Sequence, residues 1–328
     1  ELQKIHYICM YNPISIEILL KQFLFYLLQK GEKMVLYSHS RLSSFEQCPF
    51  KYKCRYIDKL KPDIKTTIEG FLGNAVHSTL EWVYTHSKER TFELDDLIEY
   101  YAKLWRGDYS PEIKIVKEEF NEEFYFNKGI KFLIDYFMKY SPFKDNTIET
   151  EKKLIMSLDL DGKYKIIGFI DRLIHHQDTN IFEVHDYKTS ATLKSQEELD
   201  QDRQLALYAI GIRKLYPQVN DVKLVWHYLD FNKTVSSERT VEQLETLRQE
   251  IMQLIDKVES ATEFPPLSSI LCKWCEFRSY CPTLKEESNN PEENSNSLDQ
   301  NQSTSETNNN QNNFPKNNSP YKSQQKLF

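Results

Sequence analysis

Between residues 148 and 258 the apolar positions change their period several times. Ile148 to Leu160, then Ile166-Ile-Gly-Phe-Ile-Asp171-Arg-Leu-Ile174, then Ile181-Phe-Glu-Val-His-Asp186-Tyr-Lys188-Thr189 are short runs crowded with β-branched and aromatic residues. Each reads as a strand ending in a polar break, and Asp161-Gly162 is a hairpin turn between the first two. Gln196 to Ile210 is a strongly amphipathic helix, Val222 to Phe231 alternates as a further strand, and Val241 to Val258 is a helix. Upstream, Ser38 or Ser40 is placed to cap a helix whose apolar face is Leu42, Phe45 and then Phe50. A second helix over Gly70 to Trp82 turns Phe71, Val76 and Leu80 inward, and Phe92 to Tyr140 reads as a charge-rich helical insert able to shape a channel for a strand. Strand, strand, strand, helix, strand after a helical section predicts an α/β fold, a mixed central sheet flanked by helices.

The chemistry collects on these strands. Asp171 is expected to close one of them and Asp186 to sit near the end of the next, so two carboxylates come within reach of one divalent ion. Lys188, two residues after Asp186, shares its face and sets an ammonium beside the attacking water, which is the apparatus of phosphodiester hydrolysis. An isolated Asp-x-Lys is usually a solvated strand-end pair. Here it has company: Gly168-x-x-Asp171 upstream, Gln204-x-x-x-Tyr208 downstream, and Gly73-x-x-x-His77-x-x-x-Glu81 in a separate helix.

Together, over Tyr37 to Pro282, these residues resemble the PD-(D/E)XK nuclease superfamily, and within it the RecB-type exonuclease branch. The resemblance implies an αβββαβ core in which His77 joins Asp171 and Asp186 in holding magnesium or manganese. It implies that Lys188 polarises or orients the water, and that Gln204 and Tyr208 contact DNA or orient the active site. Glu149 and Glu151 are candidate acids on the first strand, and their spacing does not choose between them. The implied activity is that of a metal-dependent DNA exonuclease in repair or recombination, with a helicase or repair-complex subunit as partner. Two alternatives stay open: a catalytically silent DNA-end-binding subunit, and a CRISPR-adaptation nuclease. No Gly-x-x-x-x-Gly-Lys-Ser/Thr loop is present, so the chain carries no helicase motor of its own.

Charge narrows how DNA could be held. The 328 residues are enough for a sizeable core and carry a net charge of -7, with six acids against three bases from Glu286 onward. Contact with DNA must then come from local patches. Lys51, Lys53 and Arg55 interleave with Tyr52 and Tyr56 in a composition suited to phosphate contact with base stacking, or equally to a solvated basic face. Arg203 is a further candidate for a phosphate.

Six cysteines without a secretory signal point to a reducing compartment, with a cytoplasmic, nucleoid-associated location expected. Cys272-Lys-Trp-Cys275 followed by Cys281 has metal-site spacing, Cys48 is the best fourth ligand and Cys54 its rival, while Cys9 has no assigned place. Zinc and a 4Fe–4S cluster are both open to four thiolates. One cysteine before the core and three after it resembles the AddB subunits and the CRISPR-adaptation exonucleases, which implies a 4Fe–4S staple.

Three segments follow: an extension over 1–33, a nuclease domain over 34–285 with its insert at about 92–140 and its cysteines at 272–281, and a tail over 286–328. The run Ile14 to Leu28 is too short and too charged to span a membrane, and Met34 is expected to be the natural start. The tail is rich in Asn, Ser, Gln and Glu and is expected to be disordered. It ends Gln324-Gln-Lys-Leu327-Phe328, similar to the short peptides by which bacterial repair proteins bind the sliding clamp.

Overall fold

Alternation in the strands decides which faces of the sheet are covered. The computed structural model describes residues 35–117 and 119–283. Its strands are β1 (Leu36–Tyr37), β2 (Thr147–Ser157), β3 (Lys165–His176), β4 (Ile181–Lys188), β5 (Asp221–Tyr228) and β6 (Lys233–Ser237). β3 is central, pairing antiparallel with β2 along one edge and, along the other, with β1 in parallel at its start and β4 antiparallel at its end. β4 and β5 run parallel, and β6 closes the far edge antiparallel to β5. Gly162, at φ 81°, supplies the left-handed backbone in the loop from β2 to β3.

The helices are α1 (His39–Gln47), α2 (Pro49–Tyr52), α3 (Ile68–His86), α4 (Leu94–Asp108), α5 (Glu122–Tyr140), α6 (Gln196–Asp200), α7 (Arg203–Leu215) and α8 (Val241–Ser260). Ser38 caps α1 by accepting from the Arg41 amide. α7 is the crossover that two parallel neighbours such as β4 and β5 require. With α1 and α8 it covers one face of the sheet over Leu154, Ile170, Val184, Leu224 and Trp226. α3, α4 and α5 form a second core around Leu72, Leu80, Tyr101, Trp105, Phe132 and Tyr136, which also takes in Tyr187 of β4. Each such side chain contributes about 1.5–3 kcal/mol on burial. The region read as an insert is therefore a packed wall beside β4.

This is the mixed sheet flanked by helices that the pattern predicts, with the αβββαβ order carried by α3, β2, β3, β4, α7 and β5. Local differences remain. Asp171 does not close its strand: β3 runs on to His176 because Arg172 to His176 pair with β4. The single helix expected from Gln196 to Ile210 is two, since Asp202 breaks it and caps α7 by accepting from the Gln204 amide at 2.9 Å. The strand from Val222 stops at Tyr228 in a 3-10 turn, and β1 and β6 are too short to show as alternation. No described helix is long and apolar enough to cross a membrane. Residues 1–33 with Met34 and Cys9, and the clamp-like Gln324, Leu327 and Phe328, lie outside the described residues.

Candidate metal and catalytic site

The site forms where β3 and β4 part. Their last register pair is Arg172 with His185, one residue short of Asp171 and Asp186. The Tyr187 N–H, left without a ladder partner, donates to Asp171 Oδ2 at 2.8 Å and so aims that carboxylate. Behind the parting, Arg172 is 2% exposed and donates through Nε to the Tyr187 hydroxyl at 3.0 Å, which pins the residue between Asp186 and Lys188.

Two more donors reach the parting from either side. Glu151 stands across from Asp171, between the register pairs Thr150–Arg172 and Lys152–Ile170. Its φ of 45° is left-handed backbone inside a strand, a strain of about 1–3 kcal/mol of the kind that gathers at functional sites. His77 comes down from α3, and its Nε2 lies 2.7 Å from the Tyr187 carbonyl oxygen. A carbonyl can only accept, so Nε2 carries the proton and Nδ1 turns its lone pair toward Asp171 Oδ2, 3.4 Å away. Ligand atoms of His77, Glu151 and Asp171 all lie within 4.8 Å of one another.

This arrangement is short of positive charge. Burial, with Asp186 alongside, raises the Asp171 carboxyl well above the usual carboxylate range. Burial, then Asp171 and Glu81, push Glu151 up to about 6. Burial also holds His77 below the ordinary histidine value, so the imidazole is neutral and could serve as a ligand. Asp186 Oδ2 is buried, with Lys188 Nζ 2.7 Å from it. Facing lone pairs and raised carboxyls, two carboxylates with one imidazole, fit a divalent cation.

Lys188 and Gln204 complete the arrangement. Burial works against the ammonium, but Asp186 and Asp171 hold Lys188 above the ordinary lysine value, so it stays charged. The Gln204 amide accepts from Lys188 Nζ at 3.0 Å and donates to Asp186 Oδ1 at 3.1 Å. Tyr208, one turn along α7, packs against Gly168, and Gly73 of α3 leaves room for Thr189 just past β4. Gly168 on β3 and Gly73 on α3 thus leave room for α7 and for the end of β4 to close on the site.

Other expected residues sit elsewhere. Asp186 stands beside the group of His77, Glu151 and Asp171, engaged by Lys188 and Gln204. Glu149 is exposed and pairs with Lys152 at 2.5 Å. The four basic candidates are each paired within the chain: Lys51 and Arg55 with Glu276, Lys53 with Asp58, and Arg203 with Glu46.

The cysteine loop does lie over the N-terminal helices. The Phe50 amide donates to the Pro265 carbonyl at 3.3 Å, the Leu267 amide points at Cys48 Sγ at 3.5 Å, and Ser279 bonds Asp63. No three of the sulfurs of Cys48, Cys272, Cys275 and Cys281 come within 4.8 Å of one another among the described residues. A tetrahedral zinc, at about 2.3 Å from each sulfur, needs them about 3.8 Å apart, so these thiols as placed do not fit a single zinc. Cys54, the rival ligand, is buried, and that burial pushes its thiol up to about 11.

The family model of the PD-(D/E)XK nuclease superfamily matches residues 37–282. The chain belongs to the PD-(D/E)XK nuclease superfamily. In this PD-(D/E)XK chain the matched span holds all of the sheet but Leu36, with the site and the cysteine loop. Similar solved structures are SSO0001, at 17% identity and a TM-score of 0.38, covering 83% of this chain and 97% of that one, and a "putative exonuclease" from Eubacterium rectale, at 13% identity and 0.43, covering 73% and 86%. No curated protein matches the chain in sequence.

Proposed function

We propose that this PD-(D/E)XK chain is a metal-dependent deoxyribonuclease of the RecB-type branch, trimming DNA ends as an exonuclease in repair or recombination. The observation that carries this reading is the meeting of His77, Glu151 and Asp171 beside a buried Asp186–Lys188 pair. His77, Glu151 and Asp171 would hold magnesium or manganese, with Asp186, kept by Lys188 and Gln204, beside them. When bound, the ion supplies Lewis-acid activation of water and neutralises charge on the phosphate during in-line displacement. Lys188, kept protonated by two carboxylates, donates to the attacking water or to a phosphate oxygen and so orients them. Gln204 fixes the distance between Lys188 and Asp186, while Tyr208 seats α7 so that Gln204 reaches them.

In the same reading, Cys48, Cys272, Cys275 and Cys281 hold a 4Fe–4S cluster that fastens the C-terminal loop to α1 and α2. It is supported by the loop's seating on those helices. Anaerobically purified protein should then contain iron and absorb broadly in the visible. A helicase or repair-complex subunit, and the sliding clamp through Gln324, Leu327 and Phe328, are the proposed partners.

The deciding assay uses end-labelled single- and double-stranded DNA with magnesium, manganese or chelator. Mononucleotides should appear from the ends with either metal and not with chelator. An Asp186→Asn variant should bind DNA without cutting it. A wild-type chain that binds ends and never cuts under any metal would instead be the catalytically silent subunit.

A further inference from the structure

One face of β2 and β3 stays open beside the site. Past the rung where Glu151 faces Asp171, the register sets Lys153 opposite Phe169, and then Ile155 opposite Ile167. Side chains alternate, so these four share a face, while Leu154, Met156, Ile166 and Ile170 pack into the core on the other. Phe169 and Ile155 are each 50% exposed, Ile167 is half-buried and Lys153 is exposed. A sheet face bearing exposed Phe and Ile is a liability that proteins avoid unless something uses it.

Spacing and charge say what that is. The Phe169 rung lies two residues from the ligand rung, about 7 Å along the strand. A side-chain ring can stack on a base face only where that base has left the duplex stack, so an exposed Phe beside the ligand rung matches an unpaired strand and not a regular helix. Lys153, opposite the ring, offers a cation for the phosphate of that nucleotide.

We infer that the rungs Lys153–Phe169 and Ile155–Ile167 bind an unpaired stretch of the substrate strand, with Phe169 stacking on the base beside the phosphate at the Glu151–Asp171 rung. This rests on the nuclease reading and adds substrate selectivity to it: the nucleotides entering the site must be unpaired. Ile155 and Ile167 extend the platform to the next sugar or base.

The test measures binding of the full chain to a fluorescein-labelled oligothymidylate and to a blunt duplex, in chelator, so that no cleavage competes. Phe169→Ala is expected to weaken oligothymidylate binding about tenfold or more, Phe169→Trp to keep it, and neither to change duplex binding. Phe169 is half-exposed, and melting curves of both variants check that they fold. Unchanged oligothymidylate binding in Phe169→Ala overturns the inference, as does equal loss on both DNAs. So does a wild-type chain that binds no single strand, or one that dimerises through this face and becomes monomeric in Phe169→Ala. If the wild type cuts DNA but Phe169 is indifferent, the stacking site alone falls. If the wild type cuts nothing yet binds single strands through Phe169, the nuclease reading falls and the platform stands.

Discussion

Tyr208 stands where a side chain at position 168 would have to go: a Cβ built on Gly168 would come within 2.2 Å of the Tyr208 ring. The pair joins β3, three residues before Asp171, to α7, one turn after Gln204. Gly168→Ala must therefore push a buried ring and its helix away from the sheet. Overpacking of this kind costs about 1–3 kcal/mol, a drop in Tm of about 3–10 °C. Because Gln204 moves with α7, cleavage should fall more than stability does. Thermal melts and cleavage rates of the same preparation check this, and a variant that melts like the wild type would show that the contact yields without cost.

Glu151 and Glu149 should separate cleanly. Glu151→Gln is expected to lower cleavage by about a hundredfold or more and to weaken manganese binding, because it removes one of three gathered donors. Glu149→Gln loses only an exposed pair with Lys152 and should change cleavage less than about twofold. Glu151→Gly should raise the Tm of the metal-free protein while abolishing cleavage, since glycine accepts φ 45° without strain. Calorimetric titration with manganese reads the first effect, and melting curves the last.

Stability without metal should decline as pH rises through this site. Asp171 and Glu151 both have folded-state values above their unfolded ones, Glu151 at about 6. The folded chain thus binds more protons there, and the stability they give is present below the ordinary carboxylate value and lost as pH climbs through about 6 and beyond. Glu151→Gln removes one charge from the cluster, so it should melt higher than wild type at about pH 8 and level with it near pH 4. Manganese should reverse the trend, because binding displaces protons and strengthens as pH rises. A wild-type-minus-variant Tm difference that is flat with pH would contradict this.

Lys188 and Gln204 should differ in size of effect. Lys188→Met is expected to lower kcat by about 10²–10³-fold, the usual loss for one preorganised donor at a developing charge. Lys188→Arg should not restore it, since a planar guanidinium does not fit an ammonium's place between Asp186 and Gln204. Gln204→Ala, which only loosens that ammonium, should cost about 10–100-fold. Single-turnover cleavage separates these losses from changes in DNA binding.

Local patterns wrote much of this molecule into its sequence. Runs of β-branched and aromatic residues marked β2 to β4, alternation marked β5, Ser38 or Ser40 marked the start of α1, and the short motifs around Gly73, Gly168 and Gln204 marked the pieces that meet at the site. These signals depend only on neighbours along the chain, through side-chain periodicity, capping and the room that glycine leaves.

The tertiary structure decided what depends on distant partners. Glu151 rather than Glu149 joins His77 and Asp171 because strand register and one left-handed residue turn it there, and neither is visible in composition. Lys51, Arg55 and Arg203 read as free cations until the fold set Glu276 and Glu46 against them. Phe169 looked like any strand phenylalanine. α3 reaches β2 at the Thr85–Thr150 hydroxyl pair, yet Phe169 stays half exposed, and only the packing of helices on a sheet can leave one ring uncovered beside buried acids.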